Sequence, residues 1–183
     1  MPISPQTALL LVDGYNIIGT WSRLSAIRDR HGLEPARREL IESLINYASH
    51  HNYLTRIIFD AQFQKAPSNQ EHYTPHLSVT FTAWTQTADS YIEKLCASFY
   101  HQRIPNPPAR LIVATSDRDH QLTVRGYGAE WMSAQLLANE VETSSQQVRR
   151  KHRTQKNSRG RFLFDSLDVQ AQQKLTRWRE GKS

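Results

Sequence analysis

The chain has 183 residues, one cysteine and a formal charge of +6, enough for one ordinary globular domain with a short extension. A lone cysteine excludes an intramolecular disulfide and a thiolate metal cage. No stretch approaches the ~20 apolar residues of a membrane span, so the expectation is a cytoplasmic protein in a reducing compartment.

The first element is ALLLVD (8–13), a nearly continuous apolar run that ends on a carboxylate. Such a run indicates a strand covered on both faces. Gly14 follows and is read as permitting a sharp turn. EPARRELIESLINYASH (34–50) places Leu40, Ile41, Leu44, Ile45 and Ala48 on one stripe, with Pro35 suited to a first helical turn. RIIFDA (56–61) and LSVTFTA (77–83) are the next strands. ADSYIEKLCASFYHQ (88–102) is helical and buries Ile92, Leu95, Cys96 and Phe99, with Cys96 as a core filler. RLIVATS (110–116) is the fourth strand, and a third helix begins near Ser116. AEWMS (129–133) adds an edge strand, and residues 134–152 form a fourth helix. Strands alternating with helices predict an α/β domain with a mainly parallel sheet.

The C-terminal part differs in kind. Residues 143–164 carry Arg149, Arg150, Lys151, Arg153, Lys156, Arg159 and Arg161 and no acid. Without those seven, 16 basic residues face 17 acidic ones, so the body is near neutral. A basic run of this kind is ordinarily a solvated surface, and it also suits nucleic-acid phosphates. HRTQKNSRGRF (152–162) has no apolar periodicity and reads as a linker; Leu167, Ala171, Leu175 and Trp178 share a face of a short terminal helix. The expected division is a domain over 1–148 and a basic linker with a C-terminal helix over 149–183.

Ligand sites in open α/β sheets lie at the carboxyl ends of the strands. Asp13 and Asp60 end the first two strands, Asp89 follows the third near a helix start, and Asp117 follows the fourth. Clustered carboxylates raise one another's pKa unless a cation neutralises them. Mg²⁺ or Mn²⁺ is the natural partner of aspartate oxygens, and phosphodiester hydrolysis is the chemistry such ions support. Asn16 carries no charge, but its amide can orient Asp13 or a scissile phosphate. Glu93 lies one turn beyond Asp89 and is a weaker ligand.

Each acid also has a structural reading. An Asp at a strand end commonly caps the next helix, and Ser90 with Glu93, or Ser116 with Asp119, fits a capping box. Capping favours the structural reading for Asp119 and Glu93; it does not require Asp13, Asp89 and Asp117 to converge. His120 reads as a polar surface residue or, at most, the edge of the site. The histidines show no zinc-protease spacing. The glycine patterns of dinucleotide-binding folds and P-loops are absent, as is a nucleophile elbow. A haloacid-dehalogenase phosphatase would need a second Asp where Tyr15 stands.

Taken together, LLVDGYNIIGTW (10–21), RIIFDA, TADSYIEKL (87–95), IVATSDRDHQ (112–121) and GYGAEWMSAQLLANEVE (126–142) resemble the YacP-like branch of the NYN-domain family, within the PIN-like nuclease superfamily. LTRWREG (175–181) fits as well, so the resemblance covers nearly the whole chain. It implies a three-layer α/β/α PIN-like domain with a basic C-terminal helical extension, and metal-dependent endoribonuclease activity with Mg²⁺ or Mn²⁺. Family acids match at Asp13, Asp89 and Asp117, with Asn16 as the characteristic amide, Asp60 as a further family position, and Thr87 and Ser116 as polar neighbours. It also implies a link to messenger RNA turnover and a ribosomal partner. The chain is expected to be too short for the helical arch of DNA-directed 5′-nucleases, which share the fold.

The alternative is a non-catalytic RNA- or ribosome-binding module with a vestigial site, using the basic segment and stacking aromatics from among Tyr15, Trp21, Phe63, Tyr73 and Trp84. If about five tail charges meet phosphates, log affinity for duplex should fall with log salt at a slope near −4 to −5. Deleting residues 149–183 should abolish that slope in a filter-binding titration; a slope that survives deletion would make the tail a solvated surface only.

Overall fold

The apolar run that ends at Asp13 forms the centre of a six-stranded sheet. In this computed structural model, which describes residues 7–61, 67–99, 101 and 108–165 and side chains as far as Arg150, the elements follow in chain order. They are β1 (Ala8–Asp13), α1 (Gly14–Thr20), α2 (Ser22–His31), α3 (Leu33–His51), β2 (Tyr53–Phe59), β3 (Asn69–Thr74), β4 (Leu77–Phe81), α4 (Ala88–Phe99), β5 (Arg110–Ala114), α5 (Arg118–Gly126), β6 (Glu130–Met132) and α6 (Ala134–Asp165). The sheet order is β3-β4-β2-β1-β5-β6. All neighbours are parallel except β3 and β4, which pair antiparallel. The chain divides into two units, Met1–Ser144 and Ser145–Ser183.

Strand alternation explains why β1 is apolar throughout. Ala8, Leu10 and Val12 enter one core, joined by Ile17, Ile18, Leu24, Leu40, Leu44 and Leu137 from α1, α2, α3 and the start of α6. Leu11 enters the opposite core, with Ile92, Cys96 and Phe99 of α4 and Val124 of α5. The result is three layers, α/β/α, with a sheet covered on both faces. No helix among the described residues is long and apolar enough to cross a membrane.

Four elements, at three places, depart from the sequence expectation. The first is the helical pair α1 and α2. α1 is only two turns long, and α2 buries Leu24 alone, so neither shows the broad apolar stripe that identifies a helix in sequence. β3 is the second. Its residues NQEHYT are nearly all exposed, and it is a strand because it pairs with β4 along the sheet edge. α6 is the third. It continues through Asp165 and so takes in the segment read as a linker. That segment lacks proline and contains Arg, Lys and Gln, which favour helix even without a buried face. The terminal helix expected around Leu167–Trp178 lies outside the described residues, as does Phe63.

Gly14 is also different in role. Its backbone is not left-handed; among the described glycines only Gly32 and Gly128 have positive φ. What it provides is closeness, because a Cβ at position 14 would lie 2.2 Å from Cε1 of Phe59. The absent side chain lets α1 start directly against β2. Gly14→Ala should therefore destabilise the protein by about 2–3 kcal/mol through overpacking. Adding Phe59→Leu should recover part of that loss, a coupling that urea denaturation of the two single variants and the double variant would measure.

Candidate functional site

The sheet order places the chain's reversal beside β1. From β1 the chain passes through α1–α3, on one face, to β2; from β5 it passes through α5, on the other face, to β6. The crevice between the carboxyl ends of β1 and β5 is therefore a topological switch point, where open α/β sheets bind ligands. Each flanking element opens on an aspartate that caps a helix. Asp13 caps α1, its Oδ1 accepting the Asn16 N–H at 3.2 Å. Asp117 caps α5, its Oδ1 accepting from the N–H groups of Asp119 at 2.9 Å and His120 at 3.3 Å.

Asn16 ties the two together. Its Oδ1 accepts the Ser116 N–H at 2.8 Å, across one hundred residues of sequence. Ser116 Oγ in turn accepts from the Ala134 N–H at 3.3 Å, so the loop after β5 is held between α1 and α6. Thr115 Oγ1 accepts from the Asp117 N–H at 3.1 Å. The bond to Ser116 is none of the roles read from the sequence for the Asn16 amide; it ties the tip of β1 to the loop after β5.

α4 brings in the remaining acids. The Asp60 carboxylate accepts the Ala88 N–H, and Thr87 Oγ1 accepts from Ser90 N at 3.2 Å, so both satisfy orphan amides of the helix start. Thr87, not a Ser90–Glu93 box, thus caps α4, and Asp117 rather than Ser116 caps α5. Asp89, in the first turn of α4, projects toward α5, where His120 Nδ1 lies 2.9 Å from its Oδ1. Glu93 sits a turn further along α4; with burial as the larger cause, its charge helps push the Cys96 thiol up to about 12.

One oxygen each of Asp13 and Asp89 and one ring nitrogen of His120 lie within 4.8 Å of one another. These are the residues that could hold a metal. Asp60 and Asp117 stand close by, each with Oδ1 committed to a helix start. The fields of the other three acids meet at Asp13, which is 9% exposed. Its carboxyl is pushed up to about 6, chiefly by burial, with Asp89, Asp60 and Asp117 adding repulsion and the Asn16 N–H opposing it. A buried acid crowded by three others is a site that a cation would relieve.

The sequence left His120 on the polar surface or at the edge of the site, and the structure overturns the surface reading. The residue is 4% exposed, because the cap at Asp117 sets the phase of α5 so that His120 and Val124 form its buried face. The i, i+4 spacing of those two residues was the available signal. The basic residues Arg149 and Arg150 are exposed on α6; Lys151, Arg153, Lys156, Arg159 and Arg161 lie on the same helix, with side chains outside the described set. Among the aromatics, Tyr15 packs on Phe59 at 5.0 Å and accepts from Arg37 at 2.9 Å, and Trp21 donates to the Ala134 carbonyl at 2.7 Å. Tyr73 and Trp84 are exposed, at 48% and 53%.

The sequence pattern of the YacP-like NYN domain matches residues 10–180. The YacP protein of Bacillus subtilis strain 168 is 34% identical over 176 residues, spanning 94% of this chain and 97% of that protein. A crystal structure of Rae1 (YacP) from Bacillus subtilis superposes with a TM-score of 0.66 at 32% identity, over 94% of this chain and 95% of that one. A Trp-to-Leu mutant of the same protein gives 0.66 at 30% identity, over 92% and 98%.

The raised Asp13 pKa has a consequence for stability. An acid with a folded pKa of about 6 and an ordinary value of 3.8 favours folding only while protonated. Its contribution is complete below the ordinary value and is lost as pH rises through about 6. Asn keeps the capping oxygen without the charge. With EDTA present, Asp13→Asn should be more stable than wild type at pH 8, by about 2 kcal/mol. The gain should fade toward pH 4, as paired urea melts would show.

Proposed function

Because the chain belongs to the YacP-like NYN domain family, whose PIN-like fold serves nucleases acting on RNA, we propose that it is a metal-dependent endoribonuclease that hydrolyses phosphodiester bonds in messenger RNA turnover, on ribosome-associated messenger RNA. The observation that carries this reading is the buried Asp13 carboxylate at the switch point, with Asp89 beside it and Asp60 and Asp117 adding their charge.

In this reading Asp13 and Asp89 hold the cation. Mg²⁺ or Mn²⁺, when bound, polarises a phosphate oxygen and lowers the pKa of water to a useful range. The rest is done by the chain itself. Asp60 fixes the start of α4 and with it the reach of Asp89. Asn16 and Ser116 hold the tip of β1 against the loop after β5, so that Asp13 keeps its place when substrate enters. Arg149, Arg150, Lys151, Arg153, Lys156, Arg159 and Arg161 supply positive charge for RNA phosphates.

The test is cleavage of a long, mostly unstructured RNA with Mg²⁺, Mn²⁺ or EDTA. Internal cuts should require the metal. Losing an outer partner of a metal site costs ~10–100-fold, so Asp13→Asn and Asp89→Asn should each cost at least that while RNA binding persists. The basic segment favours a second reading, a binding module. Wild type that binds RNA yet leaves it intact, both free and on translating ribosomes, would establish that reading instead.

A further inference from the structure

His120 is not needed to explain the fold around it. Val124 already anchors α5 in the core, and a buried imidazole with both nitrogens uncommitted costs stability. Neither Nδ1 nor Nε2 of His120 has a hydrogen-bond partner among the described residues. Yet Nδ1 lies only 2.9 Å from Asp89 Oδ1. The distance suits an ion pair, but the two groups do not form a hydrogen bond.

A shared ion accounts for both facts. Two ligand atoms at ~2.1 Å from one octahedral cation, at right angles, lie ~3.0 Å apart. Their lone pairs then converge on the ion, about 45° off the line joining the two atoms. The 2.9 Å approach has that length, and two groups that share an ion need no hydrogen bond between them. Asp13 supplies the third corner, within 4.8 Å of the others.

Resting on the nuclease reading above, the geometry points to His120 as a direct nitrogen ligand of the catalytic cation, completing an Asp13–Asp89–His120 set that selects Mn²⁺ over Mg²⁺. The selectivity follows from donor type. Mg²⁺ holds to oxygen ligands and keeps much of its water; Mn²⁺ also favours carboxylates but, as a first-row transition ion, accepts an imidazole nitrogen more readily. A site of aspartates alone would discriminate little. A buried neutral nitrogen adds affinity for Mn²⁺, does little for Mg²⁺, and adds no charge to a crowded group of acids.

The test reads the ligand directly. The full chain, loaded with Mn²⁺ alone, should show imidazole nitrogen modulation in pulsed electron paramagnetic resonance. Labelling the protein with ¹⁵N-histidine should replace the ¹⁴N pattern, which needs no variant. In metal-binding titrations His120→Ala should weaken Mn²⁺ at least ~10-fold and leave Mg²⁺ nearly unchanged, with His120→Asn as a second variant should the first fold poorly. Mn²⁺ bound in an Asp13-dependent manner without histidine modulation would overturn the assignment and leave the nuclease reading standing. So would equal losses of Mn²⁺ and Mg²⁺ in His120→Ala, which would mean that His120 only steadies Asp89. No Mn²⁺ binding by wild type would overturn this inference; binding of neither Mn²⁺ nor Mg²⁺ would overturn the metal-dependent reading with it.

Discussion

The structure depends on burying Asp13 at the tip of its central strand. A carboxylate removed from water is costly, and here the backbone returns one hydrogen bond, from Asn16. Three further acids make the cost larger. The same position is offset by its surroundings, because α1, α4 and α5 all begin at that end of the sheet. Their first-turn N–H groups and positive dipole ends face the acids. The fold thus surrounds its most charged point with backbone donors.

This arrangement gives each acid two descriptions that are not rivals. Asp13 and Asp117 cap helices with Oδ1, and Asp60 does so for α4. A carboxylate held by one oxygen has its second oxygen aimed by the first bond. Capping is then the means by which a flexible side chain is oriented, which a functional site requires of its supporting groups. Removing such a residue tests both roles at once; the Asn variants, which keep the capping oxygen, separate charge from geometry.

Sequence patterning made the parallel core legible because β1, β2, β4 and β5 are largely buried and rich in apolar residues, and α3 and α4 carry a full helical stripe. What it missed has one physical origin: the elements whose form comes from their neighbours. β3 is polar and takes its shape from pairing with β4. α1 is set by the Asp13 cap and by the contact of Gly14 with Phe59. The candidate site divides similarly. Asp13 and Asp89 were legible as acids placed after strands. His120 was not, since a histidine in a polar stretch shows which way it points only once the phase of α5 is fixed. Asn16 was legible as a residue of interest, but its bond to Ser116 spans the whole domain.

That bond has a bearing on when the site comes into being. β1 is made first, yet its two partners, β2 and β5, arrive some 40 and 100 residues later. Parallel pairing of this kind is non-local and slow to form. Until the loop at Ser116 has left the ribosome, Asn16 has nothing to accept from, and the residues around Asp13 stay apart. A chain still under synthesis therefore carries its acids separately. Under the nuclease function proposed above, the order of strands along the chain is itself a safeguard for the message being read.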